Sequence, residues 1–194
     1  MVGNRSRLYR EHPDWVVHLP DGTPRAEWKF SGESRTWGYP DEEWYSLDIS
    51  HPEAMAYLKE VFCNLRAWAA TFFKTDFMFW GLQDGGRWYG PIKRQRTDKI
   101  SVEYLRELFT AIRAAIGEES YWLGCIAPFV PMIGFCDGMR VSADVCPGWS
   151  AGHDMPGIVS QMAGGQHLNG VWWQDDPDAI FLRDFHLDLT EQEV

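Results

Sequence analysis

The chain has 194 residues, of which 45% are hydrophobic and 15% aromatic, enough for one globular domain with a substantial core. Its formal net charge of −10 argues against nucleic acid or a membrane surface as a partner, and no segment has the apolar length that export or membrane insertion needs. The four cysteines have neither C-x-x-C nor metal-ligand spacing, which predicts a reduced, cytoplasmic chain without a metal or other cofactor.

The first predicted elements are a short strand at residues 14–18 and a long loop at residues 19–45, which is rich in Pro, Gly and Trp. Ser50 is predicted to cap a helix over residues 52–71. The apolar residues of that helix are spaced for one buried face, formed by Met55, Tyr57, Leu58, Val61, Phe62 and Leu65.

A predicted strand over residues 72–79 carries two charges in an otherwise apolar run. Alternate side chains of a strand share a face, so Lys74 and Asp76 are expected to point the same way. Burying either charge alone is costly, and the pair therefore predicts a wet pocket or close partners. The alternative is that both residues mark the solvent end of a buried parallel strand, and this segment favours neither interpretation.

The second half of the chain repeats this alternation of helices and strands. Ser101 is predicted to cap a helix at residues 102–116, whose inward residues are Leu105, Leu108, Phe109, Ile112 and Ile116. The remaining predicted elements are strands at residues 121–126, 138–141 and 170–174 and a helical stretch at residues 156–166. Arg140 and Asp144 bracket the end of the strand at residues 138–141.

Asp76 and Asp144 would give one cleft two carboxylates from separate strand ends, as glycoside hydrolysis requires. For each aspartate alone, a structural cap at a strand end is the competing interpretation. Two tryptophans follow these positions, Trp80 and Trp149, and their flat rings would suit a sugar face, although a place in the core is the alternative.

Strands that alternate with amphipathic helices predict a parallel sheet and an α/β fold. The charged residues fall at the carboxyl ends of strands, where a (β/α)8 barrel has its active site. Such a barrel takes about 250 residues. We therefore expect residues 1–194 to form a single domain that is part of a barrel.

Short motifs spread over nearly the whole chain carry a resemblance to a known family. They are His-Pro-Asp-Trp at 12–15, Leu-Asp-Ile-Ser at 47–50, Lys-Thr-Asp at 74–76, Leu-Gly-Cys at 123–125, Asp-Gly-Met-Arg at 137–140 and Asp-Pro-Asp at 176–178. In this order and at these separations they resemble glycoside hydrolase family 36, the bacterial α-galactosidases or melibiases. The resemblance implies the central to C-terminal part of the catalytic (β/α)8 TIM barrel, without its first strands and its last strand.

The resemblance also implies a retaining mechanism, in which two carboxylates lie about 5 to 5.5 Å apart. Asp76 matches the nucleophile and Asp144 the general acid and base. Lys74 is placed to keep Asp76 charged and to bond a sugar hydroxyl, and Arg140, with its planar fork, is expected to donate to the substrate. Cys125 matches a residue that lines the sugar pocket in the family. The acidic cluster around Asp-Pro-Asp would suit a divalent ion, but in the family this region supports the pocket, and we predict no metal.

Two positions depart from the family pattern, which usually has a small residue at Ile126 and an asparagine at Gln174. A bulkier Ile126 would alter which sugar fits. The implied substrate is a terminal α-galactoside, as in melibiose or raffinose. The alternatives are N-acetylgalactosamine as the sugar, transfer of galactose to another sugar, or a truncated fragment that is inactive by itself and folds poorly or only binds. A homo-oligomer is a further expectation.

Overall fold

The structure of the chain is a computed structural model, and the residues that it describes are 1–30, 41–78, 82, 90–144 and 155–178. The chain divides into two compact units. The first comprises residues 1–71 and 77–119, and the second comprises residues 72–76 and 120–194.

The first unit contains a three-stranded antiparallel sheet, partly within the segment that we predicted to be a loop. Its strands, which pair in the order β1-β3-β2, are β1 (Val2–Gly3), β2 (Ala26–Lys29) and β3 (Glu43–Tyr45). Trp28 and Phe30 pack on Trp44 with ring centroids 6.4 and 5.0 Å apart. The prediction of a loop was wrong here because the strands are short and the Pro and Gly residues around them are typical of turns. The strands are stabilised by cross-strand aromatic contacts, which the local sequence does not indicate.

The strand predicted at residues 14–18, between β1 and β2, does not form. The structure has a 3-10 turn there, Pro13–Trp15, followed by isolated bridges at Val16 and His18. Proline has a fixed φ and no N–H, so it suits the first turn of a helix better than a central strand. A short helix, α1 (Arg7–Glu11), precedes this turn.

The longer helix that follows the first sheet begins where predicted but has a different cap. In α2 (Pro52–Ala67), His51 is the capping residue, and its Nδ1 accepts a hydrogen bond from the Glu53 N–H at 3.2 Å. Ser50 was predicted for this role. Its hydroxyl instead donates to Asp48 at 2.7 Å, so the prediction of a Ser50 cap was wrong.

The predicted buried face is confirmed in α3 (Ser101–Ile116), which packs against α2. The buried residues of that face are Leu105, Leu108, Phe109, Ile112 and Ile116. Ser101 is the first residue of this helix, not its cap. The predicted face of α2 is only half-buried, and Tyr57 is exposed, because helical spacing identifies a face and not the depth of its burial.

The second unit is built on a four-stranded parallel sheet with the order β4-β5-β6-β7. Its strands are β4 (Phe72–Thr75), β5 (Tyr121–Gly124), β6 (Gly138–Arg140) and β7 (Gln174–Asp176). The register places Lys74 beside Leu123, and Arg140 beside Asp176. Because Leu123 lies beside Gly138, two residues before Arg140, these side chains share one face, which we call the site face.

The strands of this sheet differ in length from the prediction. β4 ends at Thr75 and β5 at Gly124, earlier than expected. β7 begins at Gln174 because Gly170, with φ of +74°, forms a turn in which its N–H donates to Trp173 at 2.7 Å. The described part of this unit also contains the α-helices α4 (Phe129–Met132) and α5 (Met155–Gly165), and the second matches the helix predicted at residues 156–166.

The opposite face of the sheet is packed with large side chains. Trp122 is fully buried, and its indole N–H donates to Thr75 Oγ1 at 2.8 Å. Gly124 lies so close to Met132 and Met139 that an added Cβ would be 3.0–3.1 Å from their terminal carbons. Close packing on this side fixes the sheet and hence the direction of the side chains on the site face. Among the helices in the described ranges, none combines the length and apolar character that a membrane crossing requires.

Candidate active site

The candidate site lies on the site face of the second unit, at the carboxyl ends of β4, β5 and β6. Phe73 and Thr75 are buried, whereas Lys74 and Asp76, on the alternate positions, are exposed. The two charges therefore point to the same side of the sheet. Cys125 directly follows β5, and its N–H donates to the Thr75 carbonyl at 2.8 Å, which continues the strand pairing up to the site.

Cys125 connects the second strand of the site to the first. Its thiol is buried and donates a hydrogen bond to the Asp76 carboxylate. Burial and the negative charge of Asp76 raise the pKa of Cys125 to about 11, although Lys74 and Arg140 act in the opposite direction. At neutral pH this thiol is therefore a neutral hydrogen-bond donor and not a nucleophile.

Arg140 ends β6 and directs its guanidinium to the loop that follows. Its side chain is 4% exposed, and its Nη2 donates to Asp144 Oδ1 at 2.8 Å and to the Ala143 carbonyl at 3.2 Å. The loop is also held by Gln161 of α5, whose side-chain oxygen accepts from the Ala143 N–H at 2.7 Å. The Asp144 side chain is 68% exposed, so the structure places this carboxylate where a solute can reach it.

A second carboxylate beside Arg140 was not assigned a role from the sequence. Asp178 lies two residues beyond β7, and its Oδ2 is 2.7 Å from Arg140 Nη2. The available signal was the Asp-Pro-Asp motif, in which Asp176 and Asp178 have the same alternation as the site face. Within the described residues, no group of three or more His, Cys, Asp or Glu side chains could hold a metal ion.

A cleft of about 270 Å³ lies at the ends of β5 and β6, and it is lined by Cys125, Ile126, Ala127, Phe129, Arg140, Val141, Ser142, Ala143 and Asp144. Ile126 is 42% exposed and has φ of +42°, which is uncommon for a β-branched residue. Its lining thus includes both the Arg140–Asp144 pair and the thiol that contacts Asp76. Trp80 and Trp149, the two tryptophans predicted near the pocket, lie outside the described residues.

Comparison with known proteins relates this fold to solved structures. No protein-family profile matches the chain. The chain is similar to the structure of TtGalA, an α-galactosidase from Thermus thermophilus, in complex with stachyose, with a TM-score of 0.75, 23% identity, and coverage of 99% of this chain and 39% of that one. For the same enzyme with p-nitrophenyl α-D-galactopyranoside, the TM-score is 0.74 at 24% identity, over 99% of this chain and 37% of that one.

A more distant likeness is to a GH31 family sulfoquinovosidase from E. rectale, with a TM-score of 0.54 and 14% identity over 84% of this chain and 23% of that one. The chain thus spans about two fifths of the length of the α-galactosidase structures that it matches. The parallel sheet and this match over almost the entire chain confirm the predicted fold, an α/β structure that is part of a (β/α)8 barrel.

Proposed function

We propose that the chain is the catalytic part of a retaining α-galactosidase, which removes terminal α-linked galactose from oligosaccharides such as melibiose and raffinose. One observation carries the proposal. Asp76 and the Arg140–Asp144 pair lie at strand ends on one face of a parallel sheet, in a chain whose fold follows two α-galactosidase structures. Two such carboxylates are what retaining glycoside hydrolysis requires.

In the first proposed step, a carboxylate oxygen of Asp76 attacks the anomeric carbon while the bond from that carbon to the leaving oxygen breaks. Asp144 gives its proton to the leaving oxygen. Since Asp144 Oδ1 accepts from Arg140, Oδ2 is the oxygen that we assign to carry this proton. In the second step, Asp144 takes a proton from water, the water oxygen attacks the anomeric carbon, and Asp76 is released, so the α configuration is retained.

Lys74 and Cys125 support the nucleophile in this proposal. Lys74 is exposed on the same side of β4 as Asp76, where an ammonium group can donate to a sugar hydroxyl. Cys125 donates to Asp76, which orients the carboxylate before substrate binds. A neutral donor does this without adding a second negative charge to the site.

The test measures hydrolysis of p-nitrophenyl α-galactoside by the longest natural protein that contains this chain. Asp76→Ala is expected to lower kcat by about 1,000-fold or more, and azide is expected to restore part of the activity and yield the β-galactosyl azide. Asp144→Ala with azide is expected to yield the α-galactosyl azide, because Asp76 still forms the intermediate. Asp21→Ala removes an exposed turn carboxylate of the first unit and serves as the matched control, with unchanged activity.

If the two azide products were exchanged between these variants, the roles of Asp76 and Asp144 would be reversed. Full activity in both variants would refute the proposal. The sugar itself is tested with a panel of nitrophenyl glycosides that includes α-N-acetylgalactosaminide. Ile126 projects into the cleft, so Ile126→Gly is expected to improve the relative rate on the larger N-acetyl sugar.

We also propose a cytoplasmic location for the protein. Cys63, Cys125 and Cys136, the cysteines in the described part of the chain, form no disulfide, which supports the proposal of a cytoplasmic protein. A homo-oligomer is possible, and light scattering of the purified natural protein measures it directly.

A further inference from the structure

Arg140 lies between two carboxylates that compete for one of its nitrogens. Its Nη2 is 2.8 Å from Asp144 Oδ1, 2.7 Å from Asp178 Oδ2 and 3.2 Å from the Ala143 carbonyl. A guanidinium NH2 group has only two hydrogens to donate. The side chain of Asp178 is 28% exposed and that of Asp144 is 68% exposed, so Asp178 is the more enclosed partner.

The position of Asp178 is built into the fold. Its backbone is in the left-handed region, with φ of +74°, and its N–H donates to Asp176 Oδ1 at 2.9 Å. The preceding carbonyl, of Pro177, accepts from Ser142 Oγ at 3.0 Å, and the Asp176 carbonyl accepts from the Val141 N–H at 3.2 Å. The Ser142 and Val141 contacts hold the segment after β7 against the segment after β6. The Asp178–Asp176 contact fixes the turn itself, and none of the three involves Asp144.

We propose that Asp178 is a positioning residue, which keeps Arg140 paired while Asp144 alternates between its protonated and ionised forms. This inference rests on the proposed role of Asp144 as general acid and base. When Asp144 carries the proton for the leaving group, it no longer neutralises the guanidinium, and a buried cation without a partner is costly. Asp178 is then the counter-ion. When Asp144 has given up its proton, it shares the guanidinium with Asp178.

The charged groups around this pair are distributed over all four strands. Lys74 and Asp76 face it from the end of β4, and Cys125, as a neutral thiol, from the end of β5. Asp176 lies opposite Arg140 on β7. Arg140 is the cation that directly contacts both Asp144 and Asp178. A change at Asp178 is thus expected to act on Asp144 through the guanidinium.

The test uses Asp178→Asn in the longest natural protein, because asparagine keeps the shape and removes the charge. Arg140 then has Asp144 as its remaining carboxylate partner, which favours the ionised form of Asp144. We expect the alkaline limb of the pH profile of kcat/KM to move to lower pH by about one unit or more. The loss at neutral pH is expected to be larger for methyl α-galactoside, whose leaving group needs a proton, than for 2,4-dinitrophenyl α-galactoside.

Three further variants separate positioning from structural damage. Asp178→Glu keeps the charge and is expected to restore most of the alkaline limb. Asp175→Asn is the matched control: it also removes one carboxylate from this acidic segment, but Asp175 lies on the face of β7 opposite to Asp176. We expect it to leave the pH profile unchanged. With the dinitrophenyl substrate, adding Asp178→Asn to Asp144→Ala should change kcat/KM by less than about twofold, because the residue acts through Asp144.

An equal loss of activity at every pH and with both leaving groups would overturn the inference, as would a multiplicative effect in the double variant. If Asp178→Asn does not fold, as judged by circular dichroism, Ser142→Ala replaces it. This variant loosens the Pro177 contact, and it should move the alkaline limb in the same direction, whereas an unmoved limb would again overturn the inference. Normal hydrolysis of methyl α-galactoside by Asp144→Ala would instead refute the proposed function.

Discussion

At the scale of single residues, Cys125 is unusual in being a thiol beside a carboxylate that we propose to be the nucleophile. The raised pKa, about 11, results first from burial and then from the charge of Asp76. The neutral thiol is thus the form present at neutral pH, and the thiolate appears only as the pH rises towards that value. The hydrogen bond to Asp76 is therefore present at the neutral pH at which the proposed hydrolysis would take place.

This protonation state predicts a difference in reactivity between two cysteines. At pH 7.5, iodoacetamide is expected to modify the exposed Cys63 at least tenfold faster than Cys125. Mass spectrometry of the natural protein after timed alkylation measures both rates. The rate at Cys125 should rise steadily up to about pH 10, and an early plateau near pH 8 would show that the thiol ionises much more readily than this environment allows.

Sequence periodicity was sufficient for some site residues and not for others. The shared direction of Lys74 and Asp76 follows from the two-residue repeat of a strand. In the structure both side chains are exposed, and the residues between and before them are buried. The contact of Asp178 with Arg140 depends on how β6 and β7 are aligned and on a left-handed backbone at Asp178. Neither the strand alignment nor the backbone conformation can be predicted from the residues next to Asp178. The sequence therefore identifies Asp178 as one acidic residue among several but not as the partner of Arg140.

At the scale of elements, β5 and β6 are coupled through a glycine. Tyr121 reaches across the site face to Gln174 on β7, with its hydroxyl 3.2 Å from Gln174 Oε1. A Cβ at Gly138 would overlap that hydroxyl. Glycine on β6 is therefore what allows the tyrosine to cross the sheet at this level.

The contact predicts a pairwise effect on stability. Gly138→Ala is expected to lower the free energy of unfolding by about 1–3 kcal/mol, because the ring of Tyr121 must move and its hydrogen bond is lost. In a Tyr121→Phe background, where the closest atom is absent, the same substitution should cost about 1 kcal/mol less. Denaturant unfolding of the four proteins measures this coupling. Equal costs in both backgrounds would show that Tyr121 does not set the requirement for glycine.

The elements that were predicted well are those with strong periodicity. α3 has apolar residues at helical spacing over its full length, and its five predicted inward residues are buried. β2 and β3 have only three or four residues each and lie among prolines and glycines, so their pairing depends on contacts between distant aromatic rings. β7 begins four residues later than the strand predicted at residues 170–174. The difference arises because Gly170 adopts a left-handed turn conformation, which the hydrophobic pattern does not indicate.

At the scale of the whole molecule, the site face continues from the candidate site towards the amino ends of the strands, where apolar side chains are exposed. At the amino end of β4, Phe72 is 59% exposed and stacks on Tyr121, with ring centroids 5.4 Å apart. A cavity of about 370 Å³ adjoins this pair and is also lined by Leu123 and by Gln174 to Pro177. In a closed (β/α)8 barrel, the inward face of the strands is a packed core.

This exposure predicts the behaviour of the isolated chain. Because the chain spans 39% of the α-galactosidase structure that it matches, the 194 residues expressed alone are expected to lack α-galactosidase activity and to bind a hydrophobic dye. A natural protein that contains them together with the rest of a barrel is expected to hydrolyse p-nitrophenyl α-galactoside and to bind little dye. Assays of both proteins at equal concentration test this, and equal activity would show that the isolated chain is sufficient.

The hydrogen bond between Cys125 and Asp76 has a consequence for chemical probes of this protein. A galactose-configured epoxide or aziridine carries an electrophilic carbon at the position of the anomeric carbon, within reach of both side chains. Because the thiol stays protonated and its proton is directed at Asp76, it is a poor competitor for the carbon, and the proposed acid that protonates the ring heteroatom is Asp144. Covalent probes of this class should therefore label the chain as an ester at Asp76 and leave the neighbouring sulfur unmodified.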